Sequence, residues 1–281
     1  MDERKLPQES LDPVLRSAFV RDFLDLAGTA SLKGWHERNG GNLSYRLKEE
    51  EVRQVSGALS SKGEWTSLGL SALDLAGETF LVTGSGKYFQ FMESDPKVNF
   101  GLIELDQTGE MYRIVWGLQG AKPTSELPTH LMNHNLVKIR SNGLHRVIYH
   151  AHPPNLIALT FVLSLTDQAF TKELWGMATE CPVIFPEGVG VVPWMVPGGP
   201  EIALATAELI KKYNVVVWAH HGVFCSGEGF RETFGLMDTV EKSAEVSVKV
   251  RSMGGARRGI EREQFLDLAR SFQVNLSEEF L

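Results

Sequence analysis

The chain has 281 residues, of which 43% are hydrophobic and 22% charged, with a formal net charge of −7. That length and composition supply core for one large α/β domain or two small ones and exclude a fibrous or disordered chain. A net negative chain without clustered Lys and Arg also excludes a general phosphate-backbone binder, so any anion must be held by backbone amides or a few side chains. Cys181 and Cys225 are too few for a disulfide framework and read as buried free thiols. The N-terminus has no apolar signal-peptide core and no apolar run reaches membrane-spanning length. A cytoplasmic protein with no membrane or nucleic-acid partner is therefore expected.

In chain order, Asp12-Pro13 reads as an N-cap followed by a proline in the first turn. Leu15, Phe19, Phe23, Leu26 and Ala27 then recur at helical spacing, predicting one helix that runs to Lys33. The turn Asn39-Gly40-Gly41-Asn42 leads into an alternating strand, Leu43-Ser44-Tyr45-Arg46-Leu47. Residues 48–78 read as a variable insertion or loop, with Glu49-Glu50-Glu51 as a solvated face and no chemistry. Thr79-Phe80-Leu81-Val82-Thr83 is a strand that runs out into Gly84-Ser85-Gly86-Lys87. Strands at 101–105 and 112–116 form a hairpin around Asp106-Gln107-Thr108-Gly109. Thr124 or Ser125 starts a helix that tolerates Pro128 in its first turn.

The next strand, Arg146-Val147-Ile148-Tyr149, closes in His150-Ala151-His152 and stops at Pro153-Pro154, ahead of a helix at 155–163. Cys181-Pro182-Val183-Ile184-Phe185 and Gly190-Val191-Val192-Pro193-Trp194 read as short apolar strands. Pro197-Gly198-Gly199-Pro200 turns into a helix at 201–212, and Val215-Val216-Val217-Trp218-Ala219 is a buried strand ending in His220-His221-Gly222. A long helix at 230–253, stopped by Gly254-Gly255, and an amphipathic helix at 262–272 complete the chain. Helices and strands interleave without repeat or linker. A single α/β domain over residues 1–281 is expected, its sheet mixed because several neighbouring strands are hairpin-connected.

Candidate chemistry gathers at strand ends. Residues i and i+2 of a strand share a face, so His150 and His152 project side by side, but metal ligation needs at least one further ligand. In His220-His221-Gly222, adjacent residues face opposite sides, so at most one of the two histidines joins the pair. Three imidazoles suit Zn²⁺ and leave a position open for substrate. Glu126 is a candidate fourth ligand or acid/base, although a carboxylate in a first helical turn is explained by the helix dipole alone. Glu180, ahead of an apolar run, reads as an exposed carboxylate. In the turns 39–42 and 83–87, small residues let backbone N–H groups approach an anion. Neither turn is a P-loop or a G-x-G-x-x-G fingerprint.

Asn39-Gly40-Gly41-Asn42-Leu43-Ser44, Thr83-Gly84-Ser85-Gly86-Lys87, Thr124-Ser125-Glu126-Leu127-Pro128, Tyr149-His150-Ala151-His152 and His221-Gly222 stand in the order found in class II aldolases. In these motifs the chain resembles the class II aldolase/adducin family from Leu32 to Gly254, leaving residues 48–78 and the first ten unmatched. Leu32-Lys33-Gly34-Trp35, Val191-Val192-Pro193-Trp194-Met195-Val196-Pro197-Gly198 and Glu232-Thr233-Phe234-Gly235-Leu236 resemble the branch acting on L-rhamnulose 1-phosphate. The resemblance implies a three-layer α/β/α domain with a mixed, mostly antiparallel central sheet. It implies a Zn²⁺ in each subunit on His150, His152 and His221, with Glu126 as a further ligand that leaves when substrate arrives. It puts a phosphate pocket on Asn39, Gly41, Asn42, Ser85, Gly86 and Ser125. It makes Glu180 a catalytic residue that reaches a neighbouring subunit's site in a homotetramer.

The reaction so implied is retro-aldol cleavage of the C3–C4 bond of a ketose 1-phosphate, giving dihydroxyacetone phosphate and L-lactaldehyde. Glu180 is then the base at the C4 hydroxyl and Glu126 the acid at C3. A tyrosine that assists protonation in a related aldolase is matched by none of the five tyrosines. The rivals within the family are an L-fuculose-phosphate aldolase and an L-ribulose-5-phosphate 4-epimerase, the latter typically with aspartate where Glu126 stands. A non-catalytic adducin-like binding module lacks the metal ligands that this chain has. A zinc hydrolase leaves both glycine-rich turns without a use.

Overall fold

The structure, a computed structural model, describes residues 12–281. The first ten residues, unmatched in the sequence comparison above, lie outside that range. The chain divides into two compact units, with the boundary between Asn135 and Leu136.

In the first unit, Asp12 caps α1 (Pro13–Arg16) by accepting from the Val14 N–H at 3.0 Å. The helix expected to run unbroken to Lys33 is interrupted at Ser17, whose ψ is 152°. The Ser17 hydroxyl accepts from the Val20 N–H at 3.3 Å and caps α2 (Ala18–Leu32), offering the backbone a local alternative to helix continuation. Five strands follow: β1 (Asn42–Arg46), β2 (Thr66–Ser67), β3 (Thr79–Thr83), β4 (Phe100–Leu105) and β5 (Met111–Gly117). They lie in the order β2-β5-β4-β3-β1, with each neighbouring pair antiparallel.

The 48–78 stretch is more ordered than the expected loop. It contains α3 (Glu49–Val55), and its three glutamates occupy the first turn, where the helix dipole favours them. Its later part adds β2 to the sheet edge. After α4 (Pro96–Asn99) and the β4–β5 hairpin comes α5 (Leu127–Arg140). Leu127 and Leu131, one helical turn apart, pack into a core with Phe80, Val82, Ile103 and Leu105.

The second unit opens with β6 (Val147–Ala151) and three helices, α6 (Pro154–Leu159), α7 (Asp167–Met177) and α8 (Cys181–Ile184). The last corrects the strand expected at 181–185: Pro182 sits in a first helical turn, where its missing N–H costs nothing. A five-residue apolar run cannot show which period it follows. Then come β7 (Gly190–Val192), α9 (Pro200–Ile210), β8 (Val215–Trp218), β9 (Gly222–Gly227), α10 (Phe230–Ser252) and α11 (Arg262–Phe272). The strand order is β6-β9-β8-β7. β6/β9 and β8/β9 are antiparallel, whereas β7/β8 is parallel and is joined through the crossover helix α9. The α/β expectation with a mixed, mostly antiparallel sheet is borne out. Trp175, Trp218, Tyr149 and Tyr213 are fully buried in this unit.

Candidate metal centre and anion-binding turns

Three imidazoles converge in the second unit. His150 lies on β6 and His152 just past its end, while His221 lies in the turn between β8 and β9. Register explains the convergence. β9 pairs with both β6 and β8, with Ala151 opposite Val223 and Gly222 opposite Trp218. The end of β6 and the β8–β9 turn therefore lie side by side. The three rings form a near-equilateral triangle, with centroids 5.0, 5.1 and 4.8 Å apart. One nitrogen from each ring lies within 4.8 Å of the others, and His150, His152 and His221 are the one group of three or more potential ligands found among the described residues.

The donor set fits a metal of the zinc type. Nε2 of His152 lies 3.3 Å from Nε2 of His150. Two nitrogens bound tetrahedrally at ~2.05 Å would stand about 3.3 Å apart. The tautomer of His150 is set from behind. Its Nδ1 lies 3.0 Å from the Val223 carbonyl, which can only accept, so Nδ1 carries the proton and Nε2 presents its lone pair. Phe224 stacks on that ring at 4.3 Å and Trp218 flanks it at 5.2 Å. His150 is buried, while His152 and His221 are half-buried, which leaves an outer face for a substrate atom.

Gly222 is part of the cradle. A Cβ there would lie 2.4 Å from the Ala151 carbonyl oxygen, 2.8 Å from His152 Cδ2 and 3.1 Å from His150 Cε1. The open choice between the two histidines of the turn is resolved by the backbone. His220 adopts φ +61°, and its Nδ1 turns to the Thr160 hydroxyl at 3.0 Å, so the ring that joins the cluster is that of His221.

Glu126 belongs to the first unit and is not a member of the three-imidazole group. It is buried one residue ahead of α5, and its Oε2 accepts from Asn42 Nδ2 at 3.0 Å. The residues expected to bind phosphate also lie in this unit, on three segments tied together by Thr83. The Thr83 hydroxyl accepts from the Leu43 N–H at 3.1 Å, and its carbonyl accepts from the Thr124 N–H at 2.9 Å. Two positions further on, the Ser85 N–H donates to the Lys122 carbonyl at 2.8 Å. These bonds bring the turn at Gly41-Asn42, the turn at Ser85-Gly86 and the segment before Glu126 together. Asn39, Ser85, Gly86 and Ser125 are exposed there. Gly41 and Gly86 have φ of +75° and +70°, a region that glycine enters without strain.

Glu180 sits at the N-cap position of α8 with an exposed side chain. Neither the three-imidazole cluster nor the tied anion turns includes it. The two cysteines are buried, as expected, and burial pushes the Cys181 thiol up to about 11 and that of Cys225 higher still. Sequence reading missed a buried polar cluster beneath Asn42, made of Ser44, His130 and His134. The signal was present: Glu126, His130 and His134 recur every four residues, as one helix face does.

The family model for the Class II Aldolase and Adducin N-terminal domain matches residues 21–248. The rhamnulose-1-phosphate aldolase of Klebsiella pneumoniae (strain 342) is 46% identical over 265 residues, covering 94% of this chain and 96% of its own. That of Escherichia coli O127:H6 (strain E2348/69 / EPEC) is 47% identical over 262 residues, covering 93% and 96%. The crystal structure of a sugar-phosphate aldolase from Thermotoga maritima aligns with a TM-score of 0.73 at 29% identity, over 85% of this chain and 97% of that one. By its motifs, its fold and these relatives, the chain belongs to the class II aldolase and adducin family.

Proposed function

We propose that the protein is a zinc-dependent aldolase that cleaves L-rhamnulose 1-phosphate to dihydroxyacetone phosphate and L-lactaldehyde, acting in the cytoplasm in L-rhamnose catabolism. The observation that carries this is the three-imidazole cluster with its Gly222 cradle, in a chain whose full-length relatives are named for that reaction. His150, His152 and His221 would hold the ion, whose Lewis acidity stabilises the negative charge that C–C cleavage leaves beside a carbonyl.

The remaining tasks fall to the chain itself. The turns carrying Asn39, Gly41, Asn42, Ser85, Gly86 and Ser125 hold the phosphate, through backbone N–H groups, hydroxyls and amide side chains. Glu180 removes the proton from the C4 hydroxyl. The C4–O electrons form the aldehyde carbonyl, the C3–C4 bond breaks, and its electron pair passes to C3 and the adjoining carbonyl as an enediolate. Glu126, once off the metal and protonated from solvent, would deliver that proton to C3, completing dihydroxyacetone phosphate. In the resting protein Glu126 would serve as a further ligand of the ion. The exposed position of Glu180 suits a carboxylate that serves a neighbouring subunit's site, and with it a homotetramer. Residues 1–281 then act as a single class II aldolase domain.

The test is cleavage of L-rhamnulose 1-phosphate, with dihydroxyacetone phosphate read by a coupled dehydrogenase. EDTA should abolish the activity and Zn²⁺ should restore it. Zinc-loaded protein that leaves this sugar intact but cleaves L-fuculose 1-phosphate, or epimerises L-ribulose 5-phosphate, would overturn the substrate. Light scattering at assay concentration should give four times the chain mass, and monomer would overturn the role of Glu180 across subunits.

A further inference from the structure

The buried cluster beneath Asn42 has a feature that the proposed chemistry does not use: with the Glu126 carboxylate ionised, its hydrogen bonds are polarised in one direction. Two side chains from one face of β1, Asn42 and Ser44, interleave with three from one face of the α5 segment, Glu126, His130 and His134. All five are buried, and Ser44, His130 and His134 are 0% exposed. Four contacts join them in series. Asn42 Nδ2 lies 3.0 Å from Glu126 Oε2, and Asn42 Oδ1 makes a short contact with His130 Nε2. His130 Nδ1 lies 2.6 Å from Ser44 Oγ, which lies 2.8 Å from His134 Nε2.

Donor and acceptor accounting fixes each group in turn. In the resting state, before Glu126 takes up the proton it delivers, its carboxylate only accepts, and Asn42 turns its NH₂ toward Glu126 and its carbonyl toward His130. That carbonyl needs a donor, so His130 carries its proton on Nε2 and leaves a lone pair on Nδ1. Ser44 must then donate to Nδ1, and its oxygen accepts from His134 Nε2–H. Burial keeps His130 neutral, lowering its pKa to about 3, and the neutral ring is the form this pattern requires. A flip of the Asn42 amide would set its carbonyl oxygen against the carboxylate and its NH₂ against the His130 N–H. Two buried mismatches would result from one rotation.

We propose that Ser44, His130 and His134 form a hydrogen-bond relay of fixed polarity that locks the Asn42 amide toward Glu126 and so sets the orientation of that carboxylate. They are positioning residues, acting on the reaction through Asn42. The proposal rests on the reading of Glu126 as the acid of the aldol cleavage. It goes beyond that reading in assigning the orientation of the acid to residues that do not touch substrate.

Two readouts on the full-length, zinc-loaded protein separate the relay from the reaction. The first is the nitrogen-15 spectrum of the histidine rings, which needs no substrate. His130 should be a single neutral tautomer with its proton on Nε2, and a proton on Nδ1 or a mixture of tautomers would overturn the relay. The second is kinetic. His130→Gln keeps a donor for Asn42 and an acceptor for Ser44 and should retain kcat within about threefold, whereas His130→Leu, filling space without polar ends, should lose about 10- to 100-fold in kcat. In the Leu variant kcat should fall more than KM rises, and zinc should still be bound by the three imidazoles, because a tilted acid slows turnover more than it weakens binding. If His130→Leu does not fold, Ser44→Ala, which removes one hydroxyl, should lower kcat at least about fivefold. Equal kcat in the Gln and Leu variants, or wild-type kcat in Ser44→Ala, would overturn the proposal. If the wild type cleaves no sugar phosphate, the functional reading fails and the tautomer of His130 still decides the relay.

Discussion

Substituting Gly222 by alanine adds one methyl group, and the structure says where it goes. The new Cβ would stand 2.4 Å from the Ala151 carbonyl oxygen, about 1 Å short of ordinary contact at 3.4 Å. That oxygen is backbone at the end of the β6/β9 ladder and cannot swing aside as a flexible side chain can. The other two near atoms, His152 Cδ2 at 2.8 Å and His150 Cε1 at 3.1 Å, belong to rings of the three-imidazole cluster. Relief therefore parts the two strands or tilts the imidazoles by several tenths of an ångström. A metal site tolerates about ±0.2 Å in its ligand distances, so the displacement exceeds what the ion can absorb. Gly222→Ala should weaken zinc binding about 10- to 100-fold and cost the apo-protein about 1–3 kcal/mol from overpacking. Competition with a chromophoric chelator measures the first, and urea unfolding in EDTA the second. Gly235→Ala is the control, since a Cβ there meets nothing within 4 Å. Zinc affinity within twofold of wild type in folded Gly222→Ala would refute the account of the cradle.

Three further outcomes are expected. Gly235→Ala, on an exposed position of α10, should raise stability by about 0.5–1 kcal/mol through helix propensity alone, read as a higher urea midpoint at unchanged slope. The Glu241 carboxylate on α10 accepts from the Asn155 N–H at 3.0 Å, the Asn155 side chain at 2.8 Å and the Leu156 N–H at 2.9 Å, so Glu241→Ala should cost about 2–3 kcal/mol by stripping the start of α6. Acid should destabilise the fold through His130, whose pKa burial lowers from 6.5 to about 3. Below ~6.5 the unfolded chain takes up a proton that the native one refuses, so the stability present above that pH is lost as pH falls toward about 3, by up to ~1.4 kcal/mol per pH unit. Between pH 7 and 5.5 in EDTA, the wild type should lose about 1 kcal/mol more than His130→Gln, and parallel losses would refute this.

Much of the site was legible because it lies where periodicity meets punctuation. The strand into His150 alternates and then stops at two prolines, so the place of both rings follows from period two and a stop signal. The motif order carried the rest of the expected set. What stayed hidden depended on partners distant in sequence. The strand Gly222–Gly227 is short, bracketed by glycines and follows a run already read as a strand, so nothing local marked it as a second element. Yet this strand brings His221 to the His150 pair and supplies the carbonyl that fixes the His150 tautomer. Helix Asp167–Met177 also went unread, although Thr166 caps it. The run at 181–185 offered apolar character without enough length to show a period.

The contrast between His220 and His221 shows where local rules end. Strand alternation says that one of the two faces the pair and the other faces away, but not which. The choice is made by a backbone excursion: His220 takes a positive φ and is held there by Thr160, whose hydroxyl accepts from the His220 N–H at 3.1 Å and meets the His220 ring at 3.0 Å. A left-handed histidine is uncommon and costs energy unless its surroundings compensate. Here a side chain from just past the end of α6 does so, 60 residues away. The position of the His221 ring is thus coupled to the helix that follows His150 and His152, and the coupling runs through His220, which stands outside the three-imidazole group.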